Sequence, residues 1–475
     1  MIMKLPRSAA NLIAFAVVLA GCATFRPKPI SPDLKATAFE ARTLNNVDLK
    51  RFLTANLGHE VTPWPPKSWD FQMLTLAAFY YHPDLDVVRA KWGTAEAGVI
   101  TAGQRPNPDI GFTPEYNAST TGGISPWKLT PTLDIPIETA GKRGYRIDQA
   151  KHLSEAARLN VATVAWQVRS RLRARLIDFY AASQTESSLL KQQAVQEDLV
   201  KLLEQRLEFG EASQPDVTQA RIALAQTQLS LRGAQKQRAE ARVQFADAIG
   251  LPVSALDGVE LSVSFFDRTT INLPSEEVRR RALLNRPDLL SALSEYAGSE
   301  SALQLEIAKQ YPDIHLGPGY SWDQGDNKWS LGISITLPVF NQNQGPIAEA
   351  EARRKQAGAR FAALQAQVVG EIDRALAAYR AALQALETAD RLVESRTKQQ
   401  RSVQAMFNVG QADRLELRSA DLEISAAELS RLSALTTVQQ SIGLLESAVQ
   451  QPLNPPAAIA NDPEKNPRAS EENNE

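Results

Sequence analysis

Apolar residues recur every three or four positions over two very long stretches of this chain. The first stretch contains no proline or glycine from Tyr145 to Phe209, and the second runs from Pro346 to about Asn408. A single helix over the first stretch would be about 100 Å long. Each stretch is followed by a second segment of the same periodicity. The pattern predicts two long helical hairpins, over 144–248 and 346–449, that pack like coiled coils.

Four shorter segments alternate apolar with small or polar residues. From Trp329 to Leu337 the odd positions are apolar, whereas the even positions include Ser330 and Gly332. A period of two is typical of a strand with one apolar face, and in an outer membrane that face contacts lipid. Strands are predicted at four places: 108–118, 126–138, 313–322 and 328–339.

This order of elements occurs twice. Pro108-Asp109-Ile110 recurs as Pro312-Asp313-Ile314, and Pro83-Asp84-Leu85 recurs as Pro287-Asp288-Leu289, both 204 positions later. The spacing is too long for a solenoid repeat, so each copy must be a whole set of elements. The predicted parts are repeat 1 over 68–252, a linker over 253–273, repeat 2 over 274–452 and a disordered tail over 453–475.

The amino terminus predicts export. Lys4 and Arg7 precede a short apolar stretch that ends in Leu19-Ala20-Gly21-Cys22. This layout is that of a signal peptide, and the last four residues resemble a bacterial lipobox. We predict a signal peptide over 1–21 and a tether over 22–67 with lipid on Cys22. The alternative is an uncleaved anchor with an incidental cysteine. No other cysteine exists, so no internal disulfide forms.

Composition and residue spacing narrow the function. The net charge of −2 and the pI near 6.2 argue against nucleic acid as a partner. The four histidines lack the spacing of a metal site. No set of catalytic residues and no phosphate loop is present, so we predict a protein without enzymatic activity, catalytic residues, bound metal or cofactor other than the lipid.

The number of strands decides the predicted fold. Four strands cannot close a barrel, and lipid does not tolerate open sheet edges. Three chains with four strands each would give twelve strands, above the minimum of about eight. We therefore predict an α+β membrane protein with a twofold internal repeat. Its trimer closes a 12-stranded β-barrel and an α-helical periplasmic barrel.

The lipobox, paired strands, long hairpins and twofold repeat together resemble the TolC-type outer-membrane efflux proteins over about residues 70–452. In that family, a glycine at each hairpin turn is followed six positions later by an acidic residue. Gly210 with Asp216 and Gly410 with Glu416 keep this step. The resemblance implies a homotrimeric, passive duct in the outer membrane of a Gram-negative bacterium, working with a periplasmic adaptor and an inner-membrane pump of the RND type.

The resemblance also assigns candidate sites. The turns that would dock the adaptor contain Gly210, Ser213, Asp216, Gly410 and Asp413. The candidate acidic residues of a periplasmic gate are Glu416 and Asp421, because Ser419 occupies the family's second acidic position. A ring of three Glu416 carboxylates would attract cations. The alternative is that Glu416 is an ordinary acidic residue at a helix start, where the helix dipole favours it.

The segment Leu133–Arg143 resembles the Pro-x-Glu-x-x-Gly-Lys-Arg stretch of the heavy-metal cation (CzcC-like) branch. That resemblance implies cargo such as cobalt, zinc, cadmium or copper ions. Alternatively, Gly141, Lys142 and Arg143 serve only to connect a strand to a helix. Drug or solvent efflux and type I secretion remain as other cargo classes. A lipid-anchored coiled-coil adaptor without a pore is a further alternative.

Overall fold

The computed structural model describes residues 24–269 and 276–453, apart from the side chain of Val278. Cys22, the predicted signal peptide and the predicted tail beyond Leu453 lie outside the described residues. The chain divides into two compact units, residues 1–43 and 44–475. The described part of the first unit contains one helix, α1 (Pro32–Glu40).

The second unit begins inside the segment that we predicted to be a tether. Its first helix is α2 (Val47–Leu57), which Asn46 caps by accepting a hydrogen bond from the Asp48 amide. Leu49 and Leu53 of this helix are completely buried. The predicted tether over 22–67 is therefore wrong from residue 44 onward, because apolar residues in a polar stretch find a tertiary partner there.

The next elements build the first half of the unit. They are β1 (Ser68–Trp69), α3 (Phe71–Tyr81), α4 (Pro83–Ala102), β2 (Asp109–Tyr116), β3 (Trp127–Ile137), α5 (Lys142–Glu208) and α6 (Gln214–Ile249). Asp70 caps α3 by accepting a hydrogen bond from the Met73 amide. The helix α5 contains 67 residues, so it is roughly 100 Å long.

The second half repeats this order. After a 3₁₀ turn (Val253–Leu256) come β4 (Glu260–Leu261), α7 (Glu276–Asn285), α8 (Pro287–Ala308), β5 (Ile314–Asp323), β6 (Asp326–Ile335), α9 (Gln344–Asn408) and α10 (Arg414–Val449). The predicted linker is ordered over its described part. β4 pairs in parallel with β1, and Phe266 is buried against Tyr379 and Val438.

Four strands form one antiparallel sheet in the order β2-β3-β5-β6. We expected the last strand to continue to Val339, but β6 ends at Ile335. Ile335 pairs with Ile314, the first residue of β5, so later residues have no partner strand in the part of the chain that the structure describes. A longer loop over 117–126 joins β2 to β3, whereas only Gln324 and Gly325 separate β5 from β6.

The long helices pack side by side. α5 contacts α6, α8 and α10, and α9 contacts α8 and α10. Buried leucines and alanines line these contacts, among them Leu172 and Leu176 on α5 and Leu445 on α10. None of the helices within the described ranges combines the length and the apolar character needed to cross a bilayer.

Candidate functional site

The sheet has one apolar and one polar face. Trp329, Leu331 and Ile333 of β6 are 82%, 69% and 64% exposed in the single chain, and Ile110 and Phe112 of β2 are also exposed. Near the loop end of the sheet, two aromatic pairs are stacked edgewise or tilted. These pairs are Tyr116 with Trp127 and Tyr320 with Trp329. An exposed apolar face with aromatic residues at one end fits the lipid-facing surface of a membrane strand.

The opposite face carries charged residues in pairs. Near the loop end, Lys128 Nζ lies 3.0 Å from Glu115 Oε2, and Lys328 Nζ lies 2.6 Å from Asp323 Oδ2. Near the helix end, His315 Nδ1 donates to Asp134 Oδ2 at 2.9 Å. These contacts show that alternate residues of β2, β3, β5 and β6 share this face.

The first hairpin turn follows α5. Gly210 has a φ of +74°, and a Cβ there would meet no atom within 4 Å, so the requirement for glycine is conformational. Ser213 and Asp216 then form a capping box at the start of α6. The Ser213 amide donates to Asp216 Oδ2 at 2.9 Å. Hydrogen bonds from the Ser213 hydroxyl and amide lower the pKa of Asp216.

The second hairpin turn has the same construction. Gly410 has a φ of +76°, and Asp413 forms a capping box with Glu416 at the start of α10. The Glu416 amide donates to Asp413 Oδ1 at 2.8 Å, and Arg206 Nη2 lies 2.9 Å from Asp413 Oδ2. Hydrogen bonds from the Glu416 amide and from Arg206 lower the pKa of Asp413 despite partial burial. Because Arg206 lies on α5, this ion pair joins the two turns.

The two predicted gate acids already have partners in one chain. Glu416 is exposed, and its carboxylate accepts a hydrogen bond from the Asp413 amide at 3.1 Å. Asp421 pairs with Arg418 at 3.1 Å and accepts a hydrogen bond from Gln400. The structure therefore gives Glu416 the helix-start role that we named as an alternative. A ring of three such carboxylates stays a prediction.

Two open pockets lie between α6 and α10, both of which pack on α5. The pocket near the turns has a volume of about 400 Å³ and is lined by Leu203 and Ala220 of the first hairpin and by Leu415 of the second. The second pocket, farther along the helices, has a volume of about 780 Å³ and is lined mostly by Ala, Ser, Thr and Gln side chains. Its small side chains leave space for another helical element.

The Gly-Lys-Arg stretch connects a strand to three helices. Lys142 Nζ donates to the Tyr311 carbonyl at 2.6 Å and lies 2.8 Å from Asp313 Oδ1. Burial would raise the pKa of Asp313, but hydrogen bonds from Lys142 and the Thr139 amide lower it overall. Arg143 Nε donates to the Gly103 carbonyl at 2.7 Å. In this chain the motif has the connecting role that we considered beside the metal interpretation.

Sequence reasoning missed a buried polar network that links the two halves. Gln439 is fully buried, and its amide donates to the Phe265, Phe266 and Arg268 carbonyls. Its oxygen accepts from Arg173 at 3.1 Å. Burial lowers the pKa of Arg173. The only sequence signals for this network are Arg173 and Gln439, each of which interrupts an apolar face of its long helix.

A second missed feature lies at the starts of α4 and α8. Buried His82 precedes α4, and its Nδ1 accepts a hydrogen bond from the Asp84 amide at 3.2 Å. Burial lowers the pKa of His82, and nearby Arg171 adds to this effect, whereas Asp84 opposes it. At the matching position, buried Arg286 precedes α8.

Arg286 is held by three partners. It makes a bidentate pair with Asp288, with contacts of 3.0 and 2.6 Å. It also lies 3.1 Å from Glu371 and donates to the Ala448 carbonyl at 2.6 Å. The guanidinium therefore joins α8, α9 and the end of α10.

No group of three or more His, Cys, Asp or Glu side chains arranged to hold a metal ion is found within residues 24–269 and 276–453. The predictions of no metal site and no catalytic residue remain predictions. The site that the structure does present is a two-faced sheet joined to paired helical turns. Such a site can form the wall of a passage and an attachment surface.

The chain belongs to the outer membrane efflux protein (OEP) family, which matches residues 78–251 and 278–449. The two matched segments correspond closely to the two halves of the fold, and the family assignment confirms the resemblance seen in the sequence. The match also identifies the chain as a member of a channel family and not of an enzyme family.

Among curated proteins, the chain is 26% identical to the cobalt-zinc-cadmium resistance protein CzcC of Cupriavidus metallidurans. This alignment covers 56% of the chain and 62% of CzcC, so the chain matches less than two thirds of that relative. It is 24% identical to the nickel-cobalt-cadmium resistance protein NccC of Alcaligenes xylosoxydans xylosoxydans, over 73% of the chain and 77% of NccC.

Solved structures show the same fold. The outer membrane protein VceC of Vibrio cholerae superimposes with a TM-score of 0.65 at 18% identity, covering 81% of this chain and 97% of VceC. CusC gives a TM-score of 0.65 at 16% identity, covering 90% of this chain and 99% of CusC. The TolC-like arrangement of long helices and a small sheet is thus confirmed.

Proposed function

We propose that this protein is the outer-membrane channel of a tripartite, RND-type efflux system and passively conducts heavy-metal cations out of the periplasm. The single observation that carries the channel assignment is the four-stranded sheet, which has one apolar face and, among the described residues, two unpaired edges, and which is continuous with long helical hairpins. A membrane strand needs both an apolar face and a partner for each edge. The family match supports this reading.

The channel is proposed to be a homotrimer. β2 and β6 are the edge strands of the sheet, and lipid does not tolerate their unpaired amides. Three copies, with four strands each, would close a 12-stranded barrel. The outer helices of each chain also expose apolar residues, with Leu229 on α6 and Met406 on α9 at 75% and 43% exposure. These faces would meet in the helical barrel.

The hairpin turns are proposed to dock a periplasmic adaptor that connects the duct to an inner-membrane pump. Residues Gly210, Ser213, Asp216, Gly410 and Asp413 build the two turns. A pocket lined partly by leucine and alanine side chains lies beside these turns, and a second pocket farther along α6 and α10 has the small-residue lining that admits a helix. Glu416 and Asp421 remain the proposed gate acids at this end.

The proposed cargo is inferred from relatives. CzcC and NccC are named for resistance to cobalt, zinc, cadmium and nickel. One further relative, 28% identical over 31% of the chain, is a pyoverdine export protein of Pseudomonas aeruginosa, so other cargo remains an outcome of the test. An adaptor without a pore is disfavoured because the sheet precedes each hairpin and is not inserted at its turn.

Lipid on Cys22 is proposed to hold the mature chain in the outer membrane, with the helical hairpins extending into the periplasm. The sequence Leu19-Ala20-Gly21-Cys22 supports it. No cofactor is required for passive conduction.

The test is the metal and drug tolerance of a deletion strain with and without this chain restored. We expect restoration to rescue growth in zinc, cobalt, cadmium or nickel salts and to leave drug tolerance unchanged. Ile333→Lys/Ile335→Lys is the non-assembling control, because charges on a lipid-facing strand cost about 2–4 kcal/mol each at the bilayer midplane. Heat-resistant trimers on gels report its assembly.

Each outcome is decisive for one part of the proposal. Rescue of drug tolerance alone would reject the metal cargo and keep the channel. Normal trimers and normal rescue by the Ile333→Lys/Ile335→Lys variant would reject the membrane sheet and with it the channel. Loss of metal-tolerance rescue together with loss of trimers in that variant supports both the membrane sheet and the channel.

A further inference from the structure

The polar face of the sheet is not uniform along the strands. At the loop end, four charged residues form two ion pairs, Glu115 with Lys128 at 3.0 Å and Asp323 with Lys328 at 2.6 Å. A fifth, Asp326, is directly opposed to Asp323 in the β5–β6 ladder, so this outer level carries three carboxylates and two ammonium groups.

At the helix end the balance is different. Asp109 and Asp134 are directly opposed partners in the β2–β3 ladder. Like charges in this position destabilise a sheet. Within the described ranges, Asp109 has no ion pair with a basic side chain, and Asp134 contacts only the imidazole of His315. An uncompensated pair of carboxylates is therefore held on one face by the strand register.

The neighbouring strands leave this level open. Thr132 pairs with Gly319 and Pro136 pairs with His315, so Asp134 lies level with Gly317. Gly317 pairs in turn with Gly332. Neither glycine adds a side chain that could cover or neutralise the carboxylates. Asp134 keeps 45% of its side chain exposed even with His315 beside it.

The hairpin turns provide the contrast. There Asp421 is paired with Arg418, Asp413 is paired with Arg206, and the Glu416 carboxylate caps a helix. Each of these acids has a partner that reduces its attraction for a passing ion. Among the described residues, Asp109 and Asp134 have no such cationic partner apart from the histidine beside Asp134, whereas Asp313 nearby is paired with Lys142.

We propose that Asp109 and Asp134 determine the cation preference of the duct at the helix end of its barrel. This inference rests on the proposed channel, in which the polar face lines the passage. Three copies would then surround the passage with carboxylates, and rings of acidic side chains favour cations over anions. The open, one-sided arrangement suits conduction, because a closed cage would retain the ion.

The first test measures the zero-current potential of the purified full-length trimer in planar bilayers across a potassium chloride gradient. We expect the wild-type protein to prefer potassium. Asp109→Asn/Asp134→Asn should lower the potassium-to-chloride permeability ratio severalfold. Glu115→Gln/Lys128→Gln, which removes one neutral pair, should leave the ratio unchanged. An unchanged ratio in the first variant, or an equal loss in both, would overturn the proposal.

A second test needs no open channel. Thr132→Cys places a thiol on the same face beside the two carboxylates, and its modification is followed with a cationic and an anionic thiosulfonate reagent. The protein without this substitution gives the background of Cys22. The ratio of cationic to anionic rates should fall about tenfold when Asp109 and Asp134 become Asn, because each charge acts within a few ångströms. No change in the ratio would refute the inference.

The two proposals fail separately. If restoration of the chain does not rescue metal tolerance but the selectivity change occurs, the metal cargo is wrong and the cation-preferring level stands. If metal tolerance is rescued and both ratios are unaffected by the Asn substitutions, the channel stands and the assignment of Asp109 and Asp134 is wrong.

Discussion

Each half of the chain joins the start of a short helix to its long helix through charged side chains, but the two halves place the cation on different elements. His82 and Arg286 occupy matching positions before a Pro-Asp-Leu helix start, and Arg171 and Glu371 occupy matching positions on the long helices. In the first half the cation is on the long helix. In the second half it precedes the short helix, and the long helix supplies an acid.

The difference shows which parts of a duplicated unit are constrained. Proline in the first turn and aspartate near the amino terminus suit any helix start, and both halves keep them. The charged partners vary as long as each set is satisfied. Burial nevertheless differs, because Arg286 is 6% exposed and Arg171 is 46% exposed. The halves should therefore respond unequally when the matching contacts are removed.

The largest loss of folding stability is expected for Arg286→Met. The substitution leaves Asp288 and Glu371 without their cation and the Ala448 carbonyl without its donor, and breaking a buried pair in this way costs about 3–5 kcal/mol. The midpoint of thermal unfolding of the detergent-solubilised protein measures it. Arg286→Lys, which keeps the positive charge, should lower the unfolding midpoint by less. The matching Arg171→Gln should cost under about 1 kcal/mol because that pair is exposed. Equal losses in both halves would contradict the comparison.

A smaller effect is expected at the hairpin turns. Ser213→Ala and Asp413→Ala each remove a helix cap, worth about 1 kcal/mol. Asp413→Ala also removes the ion pair with Arg206 on the other hairpin, so its loss should be greater and should extend to both turns. Hydrogen exchange of amides in the two turns measures this. Faster exchange confined to the second turn would show that the ion pair does not join the hairpins.

The smallest expected effect is a pH dependence of the free energy of unfolding that arises only from the first half. Burial holds the pKa of His82 below its ordinary value, so folding favours the neutral ring. Its contribution is complete above the unfolded pKa of about 6.5 and is lost as the pH falls through the lower folded pKa. Thermal unfolding between pH 8 and 5 measures this loss. His82→Asn keeps a capping side chain without a titratable ring and should remove that part of the dependence. An unaltered dependence would assign it to other groups.

Much of the fold could be predicted because it depends on local periodicity. The strands of the sheet start within two residues of the expected positions, and the hairpin turns occur at the two glycines, where positive φ requires them. The end of β6 was not predictable from alternation, because alternation continues to Val339 while the partner strand stops at Ile314. A strand ends where its partner ends, and that information is tertiary.

The positions of the site residues could be predicted from the sequence, but the residues that they contact could not. The sequence indicated Gly210, Gly410 and Glu416, but the capping role of Glu416 depends on the backbone of Asp413. The opposition of Asp109 and Asp134 depends on the register of β2 and β3, which no single segment reveals. The burial of Leu44, Leu49, Leu53 and Val61 depends in the same way on helices that come later in the chain.

The unequal loops of the two strand pairs have a consequence for how other molecules meet this surface. A connection as tight as Gln324–Gly325, where both residues have positive φ, leaves no room for inserted residues. The loop over 117–126 is rich in small polar residues and exposed, the kind of site that tolerates insertion. We therefore expect this loop, and not the tight turn, to accept inserted epitope tags and to vary most in sequence where antibodies select against the exposed surface.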